Sequence, residues 1–342
     1  MSLLSGGNSA AWQSANSPTI IYPVAANFAD SLENTAQVIA GVTAIRVNTW
    51  GRLFVSVPAG TTSITVWLAN NQPSAAGFDL SAGVYIDGVW STGLNATGGN
   101  GIQAYALTLD GTAHVVQIWN AYETFLQGTY VYAVTGNGIS LGSAPAVTRR
   151  LVCYGDSITV GGAASPPGQL CWFNLIRAIY PGAASQEAWG GRQLWDDCGT
   201  GSGQSGFASV TLLAARLLGL MFGATGRHDY WIAIGINDVG AGNFTSAQFE
   251  TNYSALLDAI HAADPTANIY AQSMLTNQGA WTTAISTAAA GRSYCTIVDG
   301  TTLTDGAGFL DGIHPTTAGH QAYALGTGAH AGTNSVKATL GI

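Results

Sequence analysis

The sequence predicts two folded units of different class, an all-β sandwich followed by an α/β domain built on a parallel sheet. Its 342 residues exceed the usual size of a single domain. From Ile20 to about Ile139 the chain runs in short alternating or β-branched stretches bounded by Gly, Pro and Asn, as sandwich strands do. Beyond Arg150 apolar strand-like runs alternate with helical ones, which implies a parallel sheet covered on both faces.

In the first part the candidate strands are residues 44–48, 53–57, 63–68, 84–86, 104–109, 114–119 and 130–134. None contains an internal proline, which would remove a ladder hydrogen bond. Asp87-Gly88 and Asp110-Gly111 stand between such runs, and the second joins its two runs as a hairpin turn would. The stretch 138–148, with Gly142, Ser143, Ala144 and Pro145, reads as a linker, so the domains are expected at 1–145 and 146–342.

After the linker the strand-like runs are 151–154, 186–189, 230–234, 268–272 and 294–298, and the helical ones are 171–180, 210–220, 246–263 and 282–290. The helix at 246–263 carries the clearest signals. Phe249, Tyr253, Leu256, Leu257 and Ile260 recur at helical spacing, Thr245 and Gln248 form a capping box, and Asp264-Pro265 ends the run.

Composition excludes several functions. Only 8% of residues are charged and 47% are hydrophobic, but 45 glycines with frequent Ser, Thr and Asn describe a soluble globular chain. The longest apolar stretch, 210–222, is too short to span a bilayer and carries Arg216, so no membrane partner is expected. A net charge of -8, with ten Lys and Arg spread along the chain, argues against nucleic acid. The start lacks the pattern of a signal peptide, which constrains location little; the reading leans toward a secreted or extracellular one. Cys153, Cys171, Cys198 and Cys295 have no zinc-like spacing and are expected as buried thiols, with a Cys171–Cys198 disulfide as the alternative. No metal and no cofactor is expected.

Ligands of open α/β sheets bind beyond the carboxyl ends of the strands. Four segments fall there: Gly155-Asp156-Ser157-Ile158-Thr159, Gly190-Gly191-Arg192, Gly235-Ile236-Asn237-Asp238 and Asp311-Gly312-Ile313-His314-Pro315. Each alone has an ordinary explanation, since Gly-Asp-Ser is a common turn, Ser157 could cap a helix, and Asn237 could close an Asx turn. Their conjunction in this order outweighs those explanations.

The ordered set resembles the SGNH (GDSL) hydrolase superfamily, whose four blocks bring a serine, a glycine, an asparagine and a histidine to one active site. The resemblance covers about residues 149–342 and implies a three-layer α/β/α, flavodoxin-like domain. A hydroxyl is a weak nucleophile until an imidazole takes its proton. Ser157 is therefore expected as nucleophile, His314 as base and Asp311 as the carboxylate orienting it. The resemblance nominates the Ser157 N–H, the Gly191 N–H and the Asn237 side chain as oxyanion donors. Asp156 and Asp238 are expected to bond nearby backbone. His114, His228, His261 and His320 are expected to be structural or solvated. Trp189 and Trp195 could be core or could face a sugar ring.

The second block resembles that of rhamnogalacturonan acetylesterases, and residues 84–88 with 109–114 resemble the jelly rolls that precede SGNH domains in carbohydrate acetylesterases. The resemblance thus implies a serine esterase acting on acetyl or short acyl esters of a small-molecule or polysaccharide substrate. The rivals are a lipase- or thioesterase-like member, which needs a long apolar groove, and a catalytically silent carbohydrate-binding surface module.

Overall fold

The computed structural model describes residues 19–21, 28–29, 35–39, 42–46, 52–70, 82–87, 89–94, 101–120, 129–142, 147–164, 170–188, 190–194, 210–221, 224–241, 245–305 and 308–342. The chain divides into two compact units, Met1–Pro145 and Ala146–Ile342. Trp189, Trp195, Cys198 and residues 143–146 of the linker lie outside the described residues.

The first unit contains β1 (Thr19–Ile21), β2 (Phe28–Ala29), β3 (Thr35–Ile39), β4 (Val42–Arg46), β5 (Arg52–Val57), β6 (Ser63–Asn70), β7 (Ala82–Ile86), β8 (Val89–Leu94), β9 (Gly101–Thr108), β10 (His114–Asn120), β11 (Thr129–Gly136) and β12 (Ser140–Leu141). They form two antiparallel sheets, β3-β4-β11-β6-β9 with β1 beside β11, and β12-β5-β10-β7-β8 with β2 beside β5. Strand side chains alternate between faces. Leu53, Val55 and Val57 of β5, Ile64, Val66 and Leu68 of β6, and Val116 and Ile118 of β10 accordingly meet in one core shared by both sheets.

One turn expectation is reversed. Asp110-Gly111 does not close a hairpin, because β9 pairs with β6 while β10 pairs with β5 and β7 in the other sheet. The residues from Leu109 to Ala113 are long enough to cross the roughly 10 Å between packed sheets. Asp87 instead follows β7, which does pair with the next strand, β8, with Ile86 opposite Val89. Asp87 accordingly takes a left-handed φ of 51°, which Asp tolerates better than most side chains.

Among the described residues the second unit has five parallel strands, β13 (Val147–Gly155), β14 (Ala183–Ala188), β15 (Ala224–Ala233), β16 (Asn268–Gln272) and β17 (Cys295–Val298), in the order β14-β13-β15-β16-β17. The helices are α1 (Ser157–Val160), α2 (Trp172–Ile179), α3 (Val210–Gly219), α4 (Ile236–Ala241), α5 (Ser246–Ala263), α6 (Ala280–Ala289), α7 (Thr317–Leu325) and α8 (Val336–Leu340).

The sheet is covered on both faces. Tyr230 and Ile232 pack with Leu213 and Leu217 of α3 and Phe249, Leu256 and Leu257 of α5. Between them Trp231 points the other way, 6.2 Å from Trp172 of α2, which lies 4.7 Å from Tyr323 of α7. α5 begins with the Thr245–Gln248 capping box and ends at Asp264.

Arg149 and Arg227 both bond the buried Asp229, at 2.9 and 2.8 Å, near the amino ends of β13 and β15. Parallel strands put their carboxyl ends at the opposite rim, where the four motifs lie. Among the described residues no helix is long and apolar enough to cross a membrane.

Candidate active site

Ser157 opens α1 immediately beyond the carboxyl end of β13. Asp156 caps the helix by accepting the Ile158 N–H at 2.9 Å. Burial pushes the Asp156 carboxyl up to about 7, against the lowering effect of that hydrogen bond.

The Ser157 Oγ lies 2.8 Å from His314 Nε2, and His314 Nδ1 lies 2.7 Å from Asp311 Oδ2. The loop folds this way because Asp311 Oδ1 accepts the N–H groups of Ile313 and His314 at 3.0 and 2.8 Å. Leu310 N–H then donates to the His314 carbonyl at 2.9 Å. One oxygen thus closes the turn and the other orients the imidazole. The His314 N–H, then the imidazole, then the Ile313 N–H hold the Asp311 carboxyl well below the usual carboxylate range, so it stays charged although half-exposed.

A second imidazole supports the first. The Gly162 N–H donates to the Ser157 carbonyl at 2.6 Å. A Cβ on Gly162 would lie 2.6 Å from His314 Cδ2, so a larger residue would push against the imidazole. The Gly162 carbonyl lies 3.0 Å from Nε2 of the buried His320, whose Nδ1 accepts the Trp172 N–H at 3.3 Å. The proton is therefore assigned to Nε2. Burial lowers this imidazole to about 4, keeping it neutral and able to serve both partners.

Gly191 lies in the turn after β14 with φ of 79°, a conformation that side chains other than glycine rarely adopt. Asn237, in the first turn of α4, donates through Nδ2 to the Arg192 carbonyl at 2.9 Å, while Gln193 Nε2 donates to the Asn237 carbonyl at 3.2 Å. The structure therefore joins Ser157, His314 and Asp311 in one hydrogen-bonded chain and joins the Gly191-Arg192 turn to Asn237. Asp238 accepts the Leu194 N–H at 3.3 Å through Oδ1, while Oδ2 is buried without a partner. Burial, with the neighbouring Asp156, pushes Asp238 up to about 7.

Three of the four remaining histidines, His114, His228 and His261, have separate partners. His114 lies between Asp87 and Asp110 at 2.7 and 2.9 Å, His228 pairs with Asp264 at 2.6 Å, and His261 stacks on Tyr294 at 3.8 Å. Cys153, Cys171 and Cys295 are free thiols.

A cavity of about 20 Å³ lies near the site, with Asp156, Gln272 and Ser273 in its wall, but none of Ser157, Asn237 and His314 lines it. Ile158, Ile236 and Ile313 line it with Met274, Leu275 and Tyr323, and these three isoleucines are chain neighbours of Ser157, Asn237 and His314.

Residues 153–322 match the GDSL-like Lipase/Acylhydrolase family. This part of the chain belongs to the GDSL-like hydrolases. No curated protein matches the chain. The GDSL-like fold and its β-rich partner recur together in solved structures. A salicylyl-acyltransferase, SsfX3, from a tetracycline biosynthetic pathway aligns at 14% identity and TM-score 0.64 over 89% of this chain and 94% of its own. A family two carbohydrate esterase from Clostridium thermocellum aligns at 19% identity and TM-score 0.57 over 89% and 95%. Another from Cellvibrio japonicus aligns at 15% identity and TM-score 0.60 over 90% and 95%. At these identities the GDSL-like protein shares their fold.

Proposed function

We propose that the protein is a serine esterase that removes acetyl or another short acyl group, with carbohydrate as the alcohol. The observation that carries this is the unbroken relay from Ser157 Oγ through His314 to Asp311, at 2.8 and 2.7 Å. His314 Nε2 takes the hydroxyl proton as Ser157 Oγ attacks the ester carbonyl, and the Asp311 carboxylate stabilises the imidazolium. The Ser157 N–H, the Gly191 N–H and the Asn237 amide receive the oxyanion. His314 then protonates the departing alkoxide, and the acyl-serine is released by water activated at the same imidazole.

One observation favours a short acyl group on sugar over a lipid chain. The carbohydrate esterases named above align over nearly the whole chain, β unit included.

The test is a series of p-nitrophenyl esters beside acetylated xylan, with released acid measured as well as alcohol, so that hydrolysis is separated from acyl transfer. Ser157→Ala and His314→Ala are each expected to lower turnover by roughly 10⁴-fold or more, because they act as one unit. Near-normal turnover in either folded variant would refute the assignment, and preference for long acyl chains would refute the substrate class.

A further inference from the structure

Two buried charges sit behind the Gly191 turn, where the proposed chemistry makes no direct use of them. Glu187, the penultimate residue of β14, is 6% exposed, and Arg192 is 4% exposed. Arg192 Nη1 bonds Glu187 Oε1 at 2.9 Å, and Arg216 Nε of α3 bonds Glu187 Oε2 at 2.7 Å. The Arg192 guanidinium also lies 5.7 Å from the ring centre of Tyr154, whose hydroxyl lies 2.7 Å from the carbonyls of both Gln193 and Leu194.

Such an ion pair is a poor device for stability alone. Desolvating two charges costs about what their attraction returns, and apolar replacements of similar volume are often neutral or stabilising. What the pair does achieve is direction. It fixes Arg192, and the Arg192 carbonyl accepts one of the two Nδ2 protons of Asn237 at 2.9 Å. Because the amide group is planar, holding one N–H fixes where the other points. Gln193 and Leu194 bond Asn237 and Asp238 from the same segment, and Gly191 is the residue immediately before it.

The geometry points to Glu187, Arg192 and Arg216 as positioning residues that hold two of the three oxyanion donors, the Gly191 N–H directly through the chain and the Asn237 side chain through the Arg192 carbonyl. This inference rests on the esterase reading. None of the three charges touches substrate; they act by limiting how far the donors move when negative charge develops.

The experiment is steady-state kinetics on p-nitrophenyl acetate with the full chain. Loss of one whole donor typically costs about 10²–10³ in rate, so Arg192→Met, which loosens two without deleting either, is expected to lower kcat by roughly 10- to 100-fold. KM should change by less than about 3-fold, since the donors act mainly in the transition state. Arg192→Lys should recover part of the loss. Because the lock acts partly through the amide, Arg192→Met combined with Asn237→Ala should cost less than the product of the single effects. Leu256→Ala, a core substitution remote from these bonds, serves as a control that lowers melting temperature and leaves kcat unchanged.

If Arg192→Met does not fold, Glu187→Gln keeps the shape and removes the charge, and the same kcat loss is expected on a smaller scale. Wild-type kcat in a folded Arg192→Met or Glu187→Gln variant, or multiplicative effects in the double variant, overturns the lock and leaves the esterase reading standing. A wild-type chain without ester turnover overturns both.

Discussion

At Asp238 the structure stores an electrostatic cost that pH can reveal. The carboxyl is buried, one oxygen has no partner, and its value of about 7 lies far above the ordinary 3.9 or so of an unfolded chain. A carboxyl raised on folding binds its proton more tightly in the native state, so stability is fully present below the unfolded value and is lost as pH rises through about 7. Asp238→Asn keeps an acceptor for the Leu194 N–H and cannot ionise. Relative to wild type it is expected to be more stable at pH 8 than at pH 5, read as melting temperature against pH; an equal difference at both would count against the buried charge. The three residues of the relay were legible in the sequence because serine and histidine each sat in a short motif and the carboxylate lay three residues from its histidine. Arg216 was not legible as the partner of Glu187. The contact spans 29 residues, and an arginine in an apolar helical run carries no local sign of what it will meet.

At the scale of elements, the sequence is legible where the structure is decided locally. Helix α5 starts at its capping box and stops before Pro265 because both ends are set by backbone groups within four residues. The turns of the β unit were harder, since a pair such as Asp110-Gly111 does not reveal which sheet its following strand joins. That turn has a further property: the His114 imidazole lies between Asp110, at the connection of β9 and β10, and Asp87, after β7. Asp87 and then Asp110 raise the imidazole above its ordinary value. Asp87 is lowered first by the Val115 N–H and then by His114, and Asp110 is lowered by Thr112 and then His114. The imidazole contribution is therefore present below about 6.5 and lost as pH rises through the raised value; the carboxylate contributions are present above about 3.9 and lost as pH falls. The clamp is complete between about 4 and 6.5. Both carboxylates face solvent, which screens them, so the useful readout is the titration midpoint and not global stability. In Asp87→Asn, where Asn tolerates the left-handed φ, the His114 midpoint followed by NMR is expected to fall toward 6.5 or so. An unchanged midpoint would remove Asp87 from the clamp.

For the whole molecule the question is how labour divides between the units. Each has its own buried cluster, around Leu53, Val66 and Ile118 in the first and around Tyr230, Phe249 and Leu256 in the second. Every residue assigned to the relay, the oxyanion donors and the positioning lock lies after Ala146. A small aryl acetate needs only those groups, whereas a polymer has distant parts whose binding can be used to lower the barrier at the reacting ester. The second unit alone, Ala146–Ile342, is therefore expected to fold and to retain most of its turnover on p-nitrophenyl acetate. Its advantage on acetylated polysaccharide over the aryl ester should fall, the outcome expected of a β unit that binds remote sugars. Circular dichroism and a melting curve establish folding first, and the ratio of kcat/KM on the two substrates is then compared with that of the full chain. A folded second unit inactive on the aryl ester would mean that a residue before Ala146 completes the active site. An unchanged ratio would instead separate the β unit from polysaccharide binding and leave the chemistry where it is placed here.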